Sequence, residues 1–118
     1  MVKLNKIYTR TGDSGQTGLG DGSRRDKHDL RVEAYGAVDE ANAAIAIAAA
    51  WSKDHLHDLL CLVQNDLFDL GADLCTPSDG QRKQGALRIA PVQVTELENA
   101  IDQLNSELDP LKSFVLPG

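Results

Sequence analysis

The stretch DHLHDLLCLVQNDLFDLGADL, residues 54–74, decides the fold class. Leu56, Leu60, Val63, Leu67, Leu70 and Leu74 recur at steps of 4, 3, 4, 3 and 4. That average of about 3.5 residues is the seam of a helical bundle or coiled coil. Leu59, Leu62 and Phe68 widen the stripe, so this helix is expected to lie buried between neighbours.

Upstream, a helix is predicted from about Lys27 or His28 to Trp51, capped by Asp26 or Asp29. Tyr35, Val38, Asn42, Ile45 and Ala49 fall on one of its faces. The tract from Ala41 to Ala50 is almost all Ala and Ile, which implies tight neighbours on more than one side. Gly36 inside this helix costs about 1 kcal/mol relative to Ala, which close packing of a backbone or a ligand would explain. Downstream, Pro91 opens a third helix with the stripe Val94, Leu97, Ile101, Leu104 and Leu108, and Pro110 stops it. Between them, residues 75–90 form a linker with Pro77, Gly80 and Gly85, long enough to be mobile or functional. Its part from Asp79 to Arg88, with Arg82 and Lys83, reads as a mobile surface loop. Asp66, Asp69 and Asp73 read as a wet helix face, with pairing between subunits as the alternative. The expected architecture is all-α, an antiparallel helical bundle in a single domain spanning residues 1–118.

Composition agrees. The chain has 118 residues, 42% hydrophobic and 25% charged, with only 4% aromatics. Such a core must be made of Leu, Ile, Val and Ala, which suits packed helices. No apolar run reaches the ~20 residues needed to cross a bilayer, and the first six residues lack a signal-peptide core. The cytoplasm is the expected compartment, with no membrane partner. Cys61 and Cys75 lie in one predicted helix, about 21 Å apart at its rise per residue, so they read as two buried, reduced thiols. His28, His55 and His57 carry no metal-binding spacing, and no protein-held transition metal is expected.

The net charge of −6 argues against general nucleic-acid binding. It is unevenly spread. Residues 1–31 hold seven Lys or Arg against four Asp, a net of +3; the remainder carries −9. If the chain binds an anion, the N-terminal segment is therefore the place expected for it. There, after KIYTRT (a short strand or an extended arm), residues 12–22 read GDSGQTGLGDG and hold five of the ten glycines. No regular element tolerates that density, so a loop is expected, with unusual backbone angles or a close approach to something. Glycines let backbone N–H groups turn inward as an anion nest. The hydroxyls of Thr9, Thr11, Ser14 and Thr17 add donors, and Arg10, Arg24, Arg25 and Lys27 add charge suited to phosphate. Asp13 is placed to hold a phosphate-bound Mg2+ through water. On composition alone an exposed flexible loop is the plainer reading.

The motifs shift that balance. KIYTRTGDSGQTGL, then Lys27, then RVEAYGAVDEAN at residues 31–42, resembles the PduO-type ATP:cob(I)alamin adenosyltransferases. FVLPG at residues 114–118 is similar to that family's F-x-L-P-G-G segment. The resemblance implies a five-helix bundle, assembled as a homotrimer with active sites between subunits. It implies transfer of the 5′-deoxyadenosyl group of ATP to the cobalt of cob(I)alamin, with Mg2+. By motif position, Thr9, Arg10, Thr11, Gly12, Thr17, Gly18 and Lys27 are implied to bind ATP. Asp39, which alone reads as part of a solvated face, is implied to pair with an Arg and shape the corrinoid pocket. Phe114, which alone reads as a core aromatic, is implied to occupy the lower face of the corrin and favour four-coordinate cob(II)alamin. A flavoprotein reductase and an adenosylcobalamin-dependent enzyme are the implied protein partners. The family runs on beyond L-P-G-G into two further helices, with an A-R-x-x-x-R-R-x-E-R block and a later Asn. The chain is therefore expected to be truncated at Gly118, leaving apolar stripes open. Two other readings stand beside this one, a module that binds ATP or coenzyme without turnover and an inactive helical fragment.

Overall fold

The structure is a computed structural model and describes residues 6–78 and 85–116. Lys3, Gly80, Arg82, Lys83, Pro117 and Gly118, to which the sequence reading gave roles, lie outside the described residues. In chain order the elements are β1 (Gln16–Gly18), β2 (Arg24–Asp26), α1 (Leu30–Trp51), α2 (Asp54–Leu74) and α3 (Pro91–Asn105).

α1 and α2 form an antiparallel pair. Arg31 meets Leu74, Asn42 meets Gln64, and Ala49 meets His57. The turn between the helices is short because Asp54 takes φ 50°, a left-handed angle that Asp tolerates better than most side chains. The face of α1 predicted from spacing is the one that packs. Tyr35, Val38, Asn42 and Ile45 are half-buried, and Ala49 is 4% exposed. Asn42 and Gln64 bind each other's backbones across the pair, with Nδ2 of Asn42 3.2 Å from the Gln64 carbonyl and Nε2 of Gln64 3.3 Å from that of Asn42. α1 begins at Leu30, later than predicted, because Asp29 is the cap: its carboxylate accepts the Arg31 N–H at 2.8 Å. The bounds of α2 are as the heptad pattern gave them.

Several expectations change. The strand options at residues 1–11 fall away among the described residues, and both strands lie within or beside the glycine-rich stretch instead. There Gly15 and Gly22 adopt φ 85° and 88°, angles that let a chain reverse tightly without a side-chain clash. α3 ends at Asn105, so Leu108 is off the helix. Asn and Ser favour local backbone bonds over helix continuation; Ser106 caps the end, and Leu108 N–H bonds the Asn105 carbonyl in a turn. α2 is half-buried rather than enclosed, because only α1 lies along it closely. Cys61 and Cys75 are likewise half-buried free thiols, not buried ones. Among the described residues, the alanine tract of α1 has α2 as its close helical neighbour. Nothing lies within 4 Å of a Cβ built on Gly36, so no backbone packs there among the described residues.

The row of Asp66, Asp69 and Asp73 is half-buried, not a wet face. Asp66 accepts from Gln93 at 2.7 Å, and Asp73 pairs with Arg88. Arg88, read as part of a surface loop, is thus half-buried and fastens the start of α3 to α2. α3 itself opens with Gln93 accepting the Ala90 N–H at 2.9 Å, and its stripe stays open, Ile101 being 57% exposed. No helix among the described residues is long and apolar enough to cross a membrane.

Candidate functional site

The glycine-rich segment is a compact hairpin. β1 and β2 pair antiparallel, with Gln16 opposite Asp26, Thr17 opposite Arg25 and Gly18 opposite Arg24. Two consecutive turns precede it: Asp13 N–H bonds the Arg10 carbonyl at 3.3 Å, and Gly15 N–H bonds that of Gly12 at 3.2 Å. Arg10 enters these turns at φ 60°, a strained angle for a side chain, with its guanidinium 5.5 Å from the centre of the Tyr8 ring. Thr9 and Thr11 share a hydroxyl hydrogen bond at 2.9 Å.

Lys27 closes the group. Its N–H donates to the Gly15 carbonyl at 2.8 Å. Its ammonium lies 3.2 Å from where a Cβ on Gly12 would stand. A glycine at residue 12 therefore leaves room for the lysine to lie across the turn. The structure thus brings Thr9, Arg10, Thr11, Gly12 and Lys27 together on one exposed, basic surface. Thr17 and Gly18 sit beside them on β1.

Arg24 departs from the sequence reading. Its Nη2 donates to the Thr11 carbonyl at 2.7 Å and to the Gln16 carbonyl at 3.1 Å. It braces the loop from within, and its charge is partly committed to backbone oxygens. At the far end of the hairpin, Asp21 accepts from the Ser23 hydroxyl at 2.7 Å and the Ser23 N–H at 2.9 Å. These two bonds hold its carboxyl below the usual aspartate range.

A second feature lies between α1 and α2. An open cleft of about 350 Å³ is lined by Tyr35, Gly36, Asp39 and Asn42 from one helix and by Leu67, Phe68, Gly71 and Cys75 from the other, among others. Gly36 and Gly71 both face open space, so their missing side chains widen it. The lining is mainly apolar, with Asp39 exposed on it. Asn42 Oδ1 is buried with no partner among the described residues. Such an acceptor costs about 1–3 kcal/mol while it stays unmatched. Phe114 does not line this cleft; it follows α3 and is 87% exposed. The structure places Asp39 in the cleft and leaves Phe114 apart from it.

Hairpin and cleft adjoin. Leu19 is 6% exposed, and Gly20 N–H bonds the carbonyl of Cys75 at 2.8 Å, a residue that also lines the cleft. Sequence reasoning missed this contact and the Arg31 bond to Leu74. The only signal was the cluster of glycines, which marked a close approach without saying to what. Among the described residues, no group of three or more His, Cys, Asp or Glu is placed to hold a metal ion. Asp13 is a single exposed carboxylate.

Comparison with known proteins is consistent along the chain. A family model described as Cobalamin adenosyltransferase matches residues 7–118. A corrinoid adenosyltransferase of Mycobacterium tuberculosis (strain H37Rv) is 52% identical over 119 residues, covering 99% of this chain and 62% of the relative. Corrinoid adenosyltransferase PduO of Salmonella typhimurium is 43% identical over 113 residues, 95% of this chain and 33% of that protein. A variant PduO-type ATP:corrinoid adenosyltransferase from Lactobacillus reuteri, complexed with cobalamin and ATP, superposes with a TM-score of 0.84 at 36% identity. That match covers 96% of this chain and 64% of the other. The chain therefore spans about three-fifths of the length of the mycobacterial relative.

Proposed function

The chain belongs to the cobalamin adenosyltransferase family, and from that premise we propose that the protein transfers the 5′-deoxyadenosyl group of ATP to the cobalt of cob(I)alamin. In this reaction the reduced cobalt, as substrate, supplies the electron pair. A Co–C5′ bond forms, the C5′–O bond breaks, and triphosphate leaves. The protein then needs no general base. Its tasks are to align the two substrates and to stabilise charge on the leaving triphosphate.

The hairpin carries the second task. Thr9, Arg10, Thr11, Gly12, Thr17, Gly18 and Lys27 are the residues we assign to ATP. Lys27 and the hydroxyls of Thr9 and Thr11 offer donors on one surface, and a charge-assisted donor strengthens as negative charge builds on the leaving oxygens. The apolar cleft carries the first task. Asp39 shapes its polar edge, and the apolar lining limits water around the reduced cobalt. Phe114 is assigned to the lower face of the corrin. Mg2+ would accompany the ATP phosphates, with Asp13 as the one carboxylate we place near them through water. The assembly we infer is a homotrimer with sites between subunits, in the cytoplasm, served by a flavoprotein reductase and supplying an adenosylcobalamin-dependent enzyme.

The observation that supports this reading most is the adjacency of a basic, glycine-built hairpin and an apolar cleft, joined at Cys75. The test is anaerobic turnover of the full-length protein with ATP, Mg2+ and chemically reduced cobalamin, followed by the spectral change to adenosylcobalamin. Product is the expected result. ATP binding without product would replace the transferase by a binding module. Phe114→Ala should slow turnover from cob(II)alamin more than turnover from cob(I)alamin; equal slowing would remove the role given to Phe114.

A further inference from the structure

An α-helix leaves its last carbonyls without intrahelical donors. At the end of α2 and in the turn just past it, the carbonyls of Asp73, Leu74, Cys75 and Thr76 accept from three other parts of the chain. The Asp73 carbonyl accepts from Arg88 Nη1 at 3.0 Å, and the Thr76 carbonyl accepts from the same nitrogen at 2.7 Å. The Leu74 carbonyl accepts from Arg31 Nη1 at 2.7 Å. The Cys75 carbonyl accepts the Gly20 N–H at 2.8 Å. Two arginines at a helix C-terminus also match its partial negative charge.

Two of these donors belong to the hairpin and its exit. Gly20 lies in the turn between β1 and β2, and Arg31 stands in the first turn of α1, beyond β2. Both are tied to consecutive residues of one turn, and Cys75 in that turn lines the cleft. The fit at Gly20 is close. A Cβ there would stand 2.5 Å from Thr76 Oγ1 and 3.3 Å from the Cys75 carbonyl oxygen. Thr76 Oγ1 can swing aside only by giving up its bond to the Ala72 carbonyl at 3.0 Å. A methyl group at residue 20 therefore crowds both the hydroxyl and the Cys75 carbonyl, and it strains the contact that seats the hairpin on the cleft wall.

We propose that the end of α2 sets the separation between the nucleotide hairpin and the corrinoid cleft, with Gly20 and Arg31 as its positioning residues. This inference rests on the transferase reading above. In-line transfer depends on the distance and angle between C5′ and cobalt, and a displacement near 1 Å can cost about 100-fold in rate. Binding of either substrate alone does not depend on that separation.

The experiment compares full-length wild type, Gly20→Ala, Gly20→Ala with Thr76→Ala, Arg31→Met and Arg31→Lys. Gly20→Ala should lower kcat about 10- to 100-fold while ATP affinity measured without corrinoid stays near the wild-type value. Adding Thr76→Ala removes the blocking hydroxyl and should recover most of kcat. Amide exchange at residue 20 should speed up in Gly20→Ala and slow again in the double variant. Arg31→Lys should keep more kcat than Arg31→Met, since lysine still offers a donor to Leu74. An unchanged kcat in Gly20→Ala, or no recovery on adding Thr76→Ala, overturns the inference while wild-type turnover leaves the transferase reading standing. No turnover in wild type overturns both.

Discussion

The α1–α2 pair packs a face of Tyr35, Val38, Asn42, Ile45 and Ala49, whereas the hairpin beside it buries only Leu19. The helices are held by apolar contact along a repeating stripe. The hairpin is held by backbone hydrogen bonds, the Arg24 brace and one glycine contact. The difference separates two properties. Stability resides in the stripe, because hydrophobic burial scales with apolar area removed from water. The anion binding we assign to the hairpin would rest on donors that stay exposed. Damage to one region should therefore leave the property of the other nearly intact.

Lys27→Ala gives the largest expected effect. Loss of a charge-assisted bond should weaken ATP binding by about 1–3 kcal/mol, read by calorimetric titration, with the melting temperature hardly moved. Unchanged ATP affinity would break the assignment of the hairpin. The converse variant is Ile45→Ala. Its half-buried side chain shares the face of α1 on which Asn42 and Ala49 bond α2, so denaturant unfolding should show a loss of about 1–2 kcal/mol, below the range for full burial, with ATP affinity retained. Asp29→Ala comes next, at about 1 kcal/mol of stability for a lost N-cap, visible as a lower thermal midpoint. A loss confined to ATP binding would show that Asp29 serves the hairpin instead of α1. Ile101→Ala, on the open stripe of α3, should cost less than about 0.5 kcal/mol in this chain. A cost equal to that of Ile45→Ala would show that α3 is packed as firmly as α1.

The smallest effect concerns pH. The Ser23 bonds favour the charged form of Asp21 and lower its folded pKa below the ordinary 3.8. Their stabilisation is thus present above the ordinary value and is lost as pH falls through the lowered one. A carboxyl titration by NMR should find Asp21 ionising at lower pH than a free aspartate, and Ser23→Ala should move it back up.

The helices were legible because burial repeats with the helical period. The stripe of Leu56, Leu60, Val63, Leu67, Leu70 and Leu74 placed α2 where it is found. Asp29 had a plain capping signal, although Asp26 carried the same one until β2 claimed it. The hairpin was less legible: glycine density marked a loop, yet two short strands form there. Strands of three residues leave too short a pattern to read. The ATP-binding assignments came from motif resemblance, and the structure gathers most of them on one surface. Asp39 fell into the cleft and Phe114 did not.

Sequence by itself determined three amphipathic helices, the basic character of the N-terminus and the family, since periodicity, charge and motifs are local properties. Tertiary structure decided the rest. It turned the Asp66 and Asp73 carboxylates toward α3 and the linker, committed Arg24 to the loop backbone, and docked Gly20 on the end of α2. Those outcomes depend on which carbonyls and side chains meet across distant parts of the chain, and no local pattern encodes that meeting.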